Sequence, residues 1–464
     1  MDDALVAALT VALGARGVLE GGGELARYQR GWRYGEGVAR CVARPADTGE
    51  VAATLKLCAE HGARVVAQGA NTGLVAASTP DASGGMVVLS LERLQRTIDV
   101  DAAARTVLVD GGVPLSALNE RLAAHGLWFP IDLGADPQIG GMVATNTGGT
   151  RLLKYGDVRH NLLGLEVVLG DGRVLNQLNG LRKNNTGLDA KQLFVGTAGV
   201  FGVVTRAVLR VAPTPTQRAT ALVACRDGAA AVSLLGALER ALGDVLSAYE
   251  VMGEAAMEST LRHHADLRRP FGALPAYAAL VELSTTLPEG AVDLESALER
   301  ALTGHVGAGA GDGVLIGDAE AYWGIRHRIS ESLARDGEMA AFDVSVARSQ
   351  LPTFTDRVRA LLSAQHPDVW LCDYGHWGDG GSHLCVLWRA GDVADGAAKK
   401  AALQDAIYAL VVEEFGGSFS AEHGVGPHNQ RVYDRYTADV VKQLCAALGS
   451  FCDPGDLLGT ARLG

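Results

Sequence analysis

Apolar residues recur at helical spacing in the opening segment, where Leu5, Val6 and Leu9 predict an amphipathic helix ending near Gly14 or Gly17, within a helical lead-in over residues 1–35. Strand-type runs follow at Arg40–Ala43, ahead of Pro45, and at Val65–Ala67. Between them Thr48-Gly49-Glu50 is read as the cap of a helix carrying Val51, Leu55 and Cys58 and ending at Gly62. Further β runs are Val87–Ser90, Thr106–Val109 and Leu165–Leu169, the last followed by a Gly170-Asp171-Gly172 turn. Beyond a Pro-containing break at 210–215 the pattern alternates. Strands are predicted over 219–224, 246–252, 277–283 and 342–346, and helices over 229–242, 291–302 and 323–334, with an Ala- and Gly-rich patch at 304–313. This alternation predicts an α+β chain. Its expected division is 1–212, 213–424 as a cap over the first domain, and 425–464 packing back on the first domain.

Three small-residue loops interrupt the first domain. One is Gln68, Gly69, Ala70, Asn71, Thr72, Gly73 and Leu74, directly after a strand. The second runs from Gln138 through Gly140, Gly141, Thr145, Asn146, Gly148 and Gly149, and the third covers Gly196–Val203 with Gly199 and Gly202. Such loops present backbone N–H groups to an anion or simply make tight turns. Three of them among several strands suit a large, mostly buried cofactor. No G-x-G-x-x-G opens a helix after a strand and no G-x-x-x-x-G-K-[ST] occurs, which disfavours a Rossmann NAD enzyme and a P-loop NTPase.

At 464 residues the chain is long enough for two or three domains. Its net charge of −12, without a Lys/Arg-rich tract, argues against nonspecific nucleic-acid binding. Seven scattered cysteines without a C-x-x-C pair point away from a disulfide framework and towards a reducing cytoplasm. The acidic N-terminus does not read as a secretory signal, and no apolar run approaches a membrane span.

The densest cluster of ligand-type side chains lies late in the chain. His376 and His383 flank Gly378-Asp379-Gly380-Gly381, and Glu422-His423 precedes Gly424. The glycines predict a hairpin whose arms bring both imidazoles to one place. Two imidazoles and a carboxylate form a common set for a divalent metal with an open position. Each histidine by itself reads equally as a hydrogen-bonded core or loop residue. Arg326, by residue type alone, reads as a solvated helix charge.

The loops at 68–75 and 138–146, together with Arg182–Gly187 and Lys191–Gly196, resemble the FAD domain of the vanillyl-alcohol-oxidase and p-cresol-methylhydroxylase type flavoproteins. Within that superfamily the chain is most similar to the D-2-hydroxyglutarate and D-lactate dehydrogenases. Their H-L-G-D-G-N-L-H motif corresponds to His376–His383, and their S-A-E-H-G-V-G motif is matched unchanged by Ser420–Gly426. The resemblance implies a two-subdomain FAD-binding domain followed by a substrate cap. The three loops named above, including Gly199, Gly202 and Val203, would hold the FAD. With no His or Cys between Gln68 and Val75, attachment would be noncovalent. It also implies a divalent metal, zinc by preference, on His376, His383 and Glu422. Arg326, Ser330, Cys385 and His423 would bind substrate. The reaction would be metal-assisted oxidation of a D-2-hydroxy acid to the 2-oxo acid, with His423 as base and hydride passing to flavin N5. Electrons would go on to a quinone, an electron-transfer flavoprotein or another acceptor, with homodimer assembly left open.

Some positions depart from the family pattern. The Lys of its K-Y-D-x-S-x-P is Ala341, the Asn of its H-L-N-V is Cys385, and the acidic residue of its G-S-E-G-T-L-G is Ala198. The first two losses imply a pocket for a shorter or more apolar acid than hydroxyglutarate. The alternatives are a D-lactate or glycolate dehydrogenase, perhaps within a larger complex, a non-catalytic flavin-binding protein, and a flavin-free metal-dependent hydrolase.

Overall fold

The computed structural model describes residues 3–306, 313–389, 391 and 395–464. Residues 307–312, the middle of the Ala- and Gly-rich patch, lie outside these. The chain divides into two compact α+β units. Unit 1 comprises Met1–Gly148, Gly156–Thr214 and Glu422–Gly464, and unit 2 comprises Gly149–Tyr155 and Pro215–Ala421.

Among the described residues unit 1 holds three sheets, the smallest a two-stranded pair of Leu127–Trp128 with Ala212–Pro213. The first orders β1 (Val18–Leu19), β2 (Ala39–Ala43), β3 (Val65–Gln68) and β4 (Met86–Ser90) as β1-β2-β4-β3, with β2, β4 and β3 parallel. Strands β2 and β4 are almost wholly buried, as expected of a parallel sheet covered by crossover helices. Helices α1 (Ala4–Leu13) and α2 (Thr48–Glu60) cover one face, packing Leu5, Leu9, Val51 and Leu55 against Cys41, Val87 and Leu89. Asp47, one residue before the expected cap, is the N-cap of α2: its carboxylate accepts from the Glu50 N–H. The lead-in is not continuously helical, because Val18–Leu19 breaks off as a strand pairing with β2.

The second sheet of unit 1 is antiparallel. It orders β5 (Ile98–Asp101), β6 (Thr106–Asp110), β7 (Leu162–Val168), β8 (Val174–Gln177) and β9 (Val203–Arg210) as β5-β6-β9-β7-β8. The C-terminal segment belongs to unit 1 through a bridge between Leu458 and Val65 and the Gly459 N–H bonded to the Val65 carbonyl at 2.7 Å.

Unit 2 is built on one seven-stranded sheet. Its strands are β10 (Gln217–Cys225), β11 (Leu246–Gly253), β12 (Tyr277–Thr285), β13 (Gly313–Ile316), β14 (Glu338–Ser345), β15 (Trp370–Gly375) and β16 (Gly381–Trp388), ordered β13-β10-β12-β11-β15-β16-β14. Helix α3 (Ala319–Asp336) packs Ile325, Ile329 and Leu333 onto Cys372, Tyr374, Cys385 and Leu387 of the sheet.

At the end of α3, Asp336 ties this helix to the one at Glu254–His263. Its carboxylate accepts from Ser259 Oγ at 2.5 Å, His263 Nε2 at 2.6 Å and Arg262 at 3.0 Å. Burial pushes this carboxyl up, but the hydrogen bonds and the two basic neighbours outweigh it and hold it below its ordinary value. Asp336→Asn is expected to cost about 1–3 kcal/mol in urea denaturation at pH 7. A depressed carboxyl stabilises above its unfolded pKa of about 3.9. The difference between wild type and variant should therefore close as pH falls through that value and the lower folded one.

Candidate active site

The flavin-type loops all lie in unit 1 except Gly149, which falls in the short segment assigned to unit 2. Gln68 ends β3, and its side-chain amide donates to the Tyr28 and Ser78 carbonyls at 2.9 and 2.7 Å, closing the base of the first loop. Among the described residues, the N–H groups of Gly69, Ala70, Thr72, Gly73 and Leu74 meet no backbone acceptor. The second segment is not a loop throughout, because Ile139–Thr145 form a short α-helix capped by Asn146; the third loop is zipped to it, with the Gly196 and Ala198 N–H groups donating to the Val143 and Ala144 carbonyls at 3.1 and 2.8 Å.

Asn71, Asn146 and Ala198, one in each loop, have φ of 56°, 50° and 54°. Non-glycine residues in this region store strain and concentrate at ligand sites. The side chains hold two of these turns: Ser78 Oγ donates to Asn71 Oδ1 at 2.9 Å, and Asn146 Nδ2 donates to Asp157 at 2.8 Å. Gln138 Oε1 is buried without a hydrogen-bond partner among the described residues, beside Gly69. At Gly141 an added Cβ would meet nothing within 4 Å. Unpaired N–H groups, an orphaned buried acceptor and open space at a glycine together fit an anionic, hydroxyl-rich cofactor such as FAD.

The metal-type histidines lie in unit 2, on the hairpin of β15 and β16. The five-residue loop 376–380 is pinned by the Asp379 and Gly381 N–H groups on the His376 carbonyl and by the Gly378 N–H on the Tyr249 carbonyl. Gly380 is required there: its φ is +98° and a Cβ would lie 2.5 Å from the Val346 carbonyl oxygen. The turn brings the rings of His376 and His383 to 5.2 Å between centroids, nearly perpendicular at 80°. His383 pairs across the sheet with Tyr374 on one side and Asp343 on the other, with its Nδ1 3.8 Å from the Asp343 carboxylate.

Arg326 is buried, not solvated, and its Nε donates to Glu250 at 2.7 Å while the guanidinium stacks over the Tyr374 ring at 4.9 Å. Glu250 also sits 2.6 Å from His376 Nδ1. Burial would raise the Glu250 carboxyl, but the charges of Arg326 and His376 overcome this and bring it down to about 2. Ser330, one turn beyond Arg326 on α3, is half-buried. Cys385 is buried and pairs with Ala341 on β14 and Cys372 on β15. None of the seven cysteines is in a disulfide.

At the end of unit 2 the chain runs beside the edge strand β14, where the Ala421 N–H donates to the Asp343 carbonyl at 3.2 Å. The next residues, Glu422 and His423, open the last segment of unit 1. His423 Nε2 lies 3.8 Å from the Glu422 carboxylate. The loop after them is held by Asn429, which accepts from the Gly426 N–H at 2.9 Å and donates to the Gly424 carbonyl at 2.8 Å. It abuts Val75 at the end of the first cofactor loop, where a Cβ on Gly426 would lie 2.3 Å from the Val75 carbonyl oxygen.

Sequence reading passed over Glu250, Asp343 and Asn429. The signal at Glu250 was a carboxylate inside an otherwise wholly buried strand, which must have a cationic partner.

Residues 39–177 match the FAD binding domain and residues 214–462 match the C-terminal domain of the FAD linked oxidases. The chain belongs to the FAD-linked oxidases. It is similar to the mitochondrial D-2-hydroxyglutarate dehydrogenase of Bos taurus, with 34% identity over 434 residues, covering 92% of this chain and 77% of that protein. It is also 34% identical over 412 residues to the D-2-hydroxyglutarate dehydrogenase of Xanthomonas citri pv. viticola, covering 87% of this chain and 84% of that one. Among solved structures, substrate-bound p-cresol methylhydroxylase has the same fold, with a TM-score of 0.74 at 17% identity over 98% of this chain and 95% of that one. No helix among the described residues is long and apolar enough to cross a membrane.

Proposed function

We propose that this chain is an FAD- and metal-dependent dehydrogenase that oxidises a D-2-hydroxy acid to the 2-oxo acid. The observation that carries the reading is the hairpin that sets His376 beside His383 while Glu250 joins His376 to the buried Arg326. His376, His383 and Glu422 are the residues that would hold the metal. Two imidazoles, each near a buried carboxylate, fit zinc. When bound, the metal supplies Lewis acidity at the substrate hydroxyl and the FAD supplies the two-electron acceptor.

The protein's share is placement and proton handling. Arg326 binds and orients the substrate carboxylate, for which a guanidinium fork is well shaped. His423 takes the hydroxyl proton. Ser330 offers a small hydroxyl to the substrate, and Cys385 lines the distal part of the pocket. No His or Cys lies between Gln68 and Val75, so the FAD is held noncovalently. Electrons leave to a separate acceptor, a quinone or an electron-transfer flavoprotein. The buried thiols, none in a disulfide, favour a reducing compartment such as the cytoplasm.

The pairing of Cys385 with Ala341 leaves two small side chains in register across β16 and β14. This favours an acid with a shorter or more apolar side chain than hydroxyglutarate. An anaerobic absorbance titration with D- and L-2-hydroxy acids tests both statements. One D-acid is expected to bleach the flavin, the bleaching is lost with a chelator, and a divalent metal restores it. A flavin spectrum unmoved by every acid would sink the reaction. Equal kcat/KM for D-2-hydroxyglutarate and all apolar acids would sink the pocket assignment alone.

A further inference from the structure

We infer that Glu250 is the positioning residue of this site, one buried carboxylate that holds both the metal-binding imidazole of His376 and the substrate-binding guanidinium of Arg326; this rests on the function proposed above. Glu250 lies mid-strand in β11, and its side chain is 1% exposed. Its two oxygens are divided between the partners, Oε1 at 2.6 Å from His376 Nδ1 and Oε2 at 2.7 Å from Arg326 Nε. Strand β11 also anchors the hairpin from below: Val251 and Met252 pair with Gly375 and Tyr374, and the Tyr249 carbonyl holds the Gly378 N–H. Glu250 is thus fixed by the same backbone that fixes the histidine loop.

The chemistry follows from acceptor count. An ionised carboxylate is acceptor-only and satisfies two N–H donors at once. Accepting from Nδ1–H sets the His376 tautomer, so that the lone pair sits on Nε2, the nitrogen available to a metal. Accepting from the Arg326 Nε–H sets the plane of the fork. A glutamine at this position has one oxygen and one NH2 group. One partner then faces a donor, and either the tautomer of His376 or the orientation of Arg326 is lost.

The test uses the full-length holoenzyme. Glu250→Gln is expected to retain its flavin spectrum and to lose about 10–100-fold in zinc affinity, measured by competition with a chromogenic chelator. KM for the D-2-hydroxy acid should rise by a similar factor. Glu250→Asp keeps an acceptor-only group and should recover part of both. Folded Glu250→Gln protein with zinc affinity and KM within twofold of wild type overturns the assignment. If that variant fails to fold, ¹⁵N-histidine spectra of metal-free wild type decide: Nδ1–H at His376 supports the assignment and Nε2–H overturns it. Wild type that binds no zinc and is bleached by no acid removes the functional reading itself, and this inference with it.

Discussion

His423→Asn lowers the rate of flavin reduction by the preferred D-2-hydroxy acid by about 10²–10⁴-fold, the usual contribution of a positioned general base. The expectation rests on where the residue sits. His423 follows the last unit 2 residue, Ala421, by two positions, and the loop after it is held by Asn429 against Val75 at the end of the first cofactor loop. The backbone that aims the ring does not depend on the ring. The variant should therefore fold and keep its flavin, since the loops at 68–74 and 138–149 are untouched. Stopped-flow absorbance in the flavin band, at saturating substrate and with zinc present, reads the chemical step directly. A reduction rate within threefold of wild type would move the proton-accepting role to another group.

His383→Ala is expected to lose bound divalent metal and to lower kcat/KM by roughly 10³-fold or more, corresponding to several kcal/mol of Lewis-acid stabilisation at the transition state. The strand survives the change, because β16 is held by full ladders to both β14 and β15. Wild type stripped by chelator should recover when zinc is added back, whereas His383→Ala should not recover at any zinc concentration that leaves wild type active. Metal content by elemental analysis separates this from a packing effect. A variant with full metal content and full activity would remove His383 from the site.

Local pattern carried much of this protein. Runs of strand-type residues located many strands of both units but missed Val18–Leu19, Ile98–Asp101, Val174–Gln177, Val203–Arg210 and Gly313–Ile316, and the glycines between His376 and His383 predicted the hairpin that the backbone adopts. The first and third small-residue loops were visible as loops because glycine and asparagine tolerate conformations other residues avoid, whereas the centre of the second, Ile139–Thr145, is an α-helix closed by Asn146 in the left-handed conformation. The capping residue of α2 was misplaced by one position, since Asp47 and Thr48 are both competent caps and only the backbone angles choose between them.

Sequence alone settled the α+β class and the residue types available for flavin and metal chemistry. Tertiary structure decided which of them act together. Arg326 looks like a surface charge in its helix, yet it is buried because strand β11, 76 residues earlier, presents Glu250 to it. The same carboxylate reaches His376, 126 residues later in the chain. These pairings depend on the order of β11, β15 and β16 in one sheet. Periodicity reports which face of an element is buried; it carries no information about which distant element that face meets.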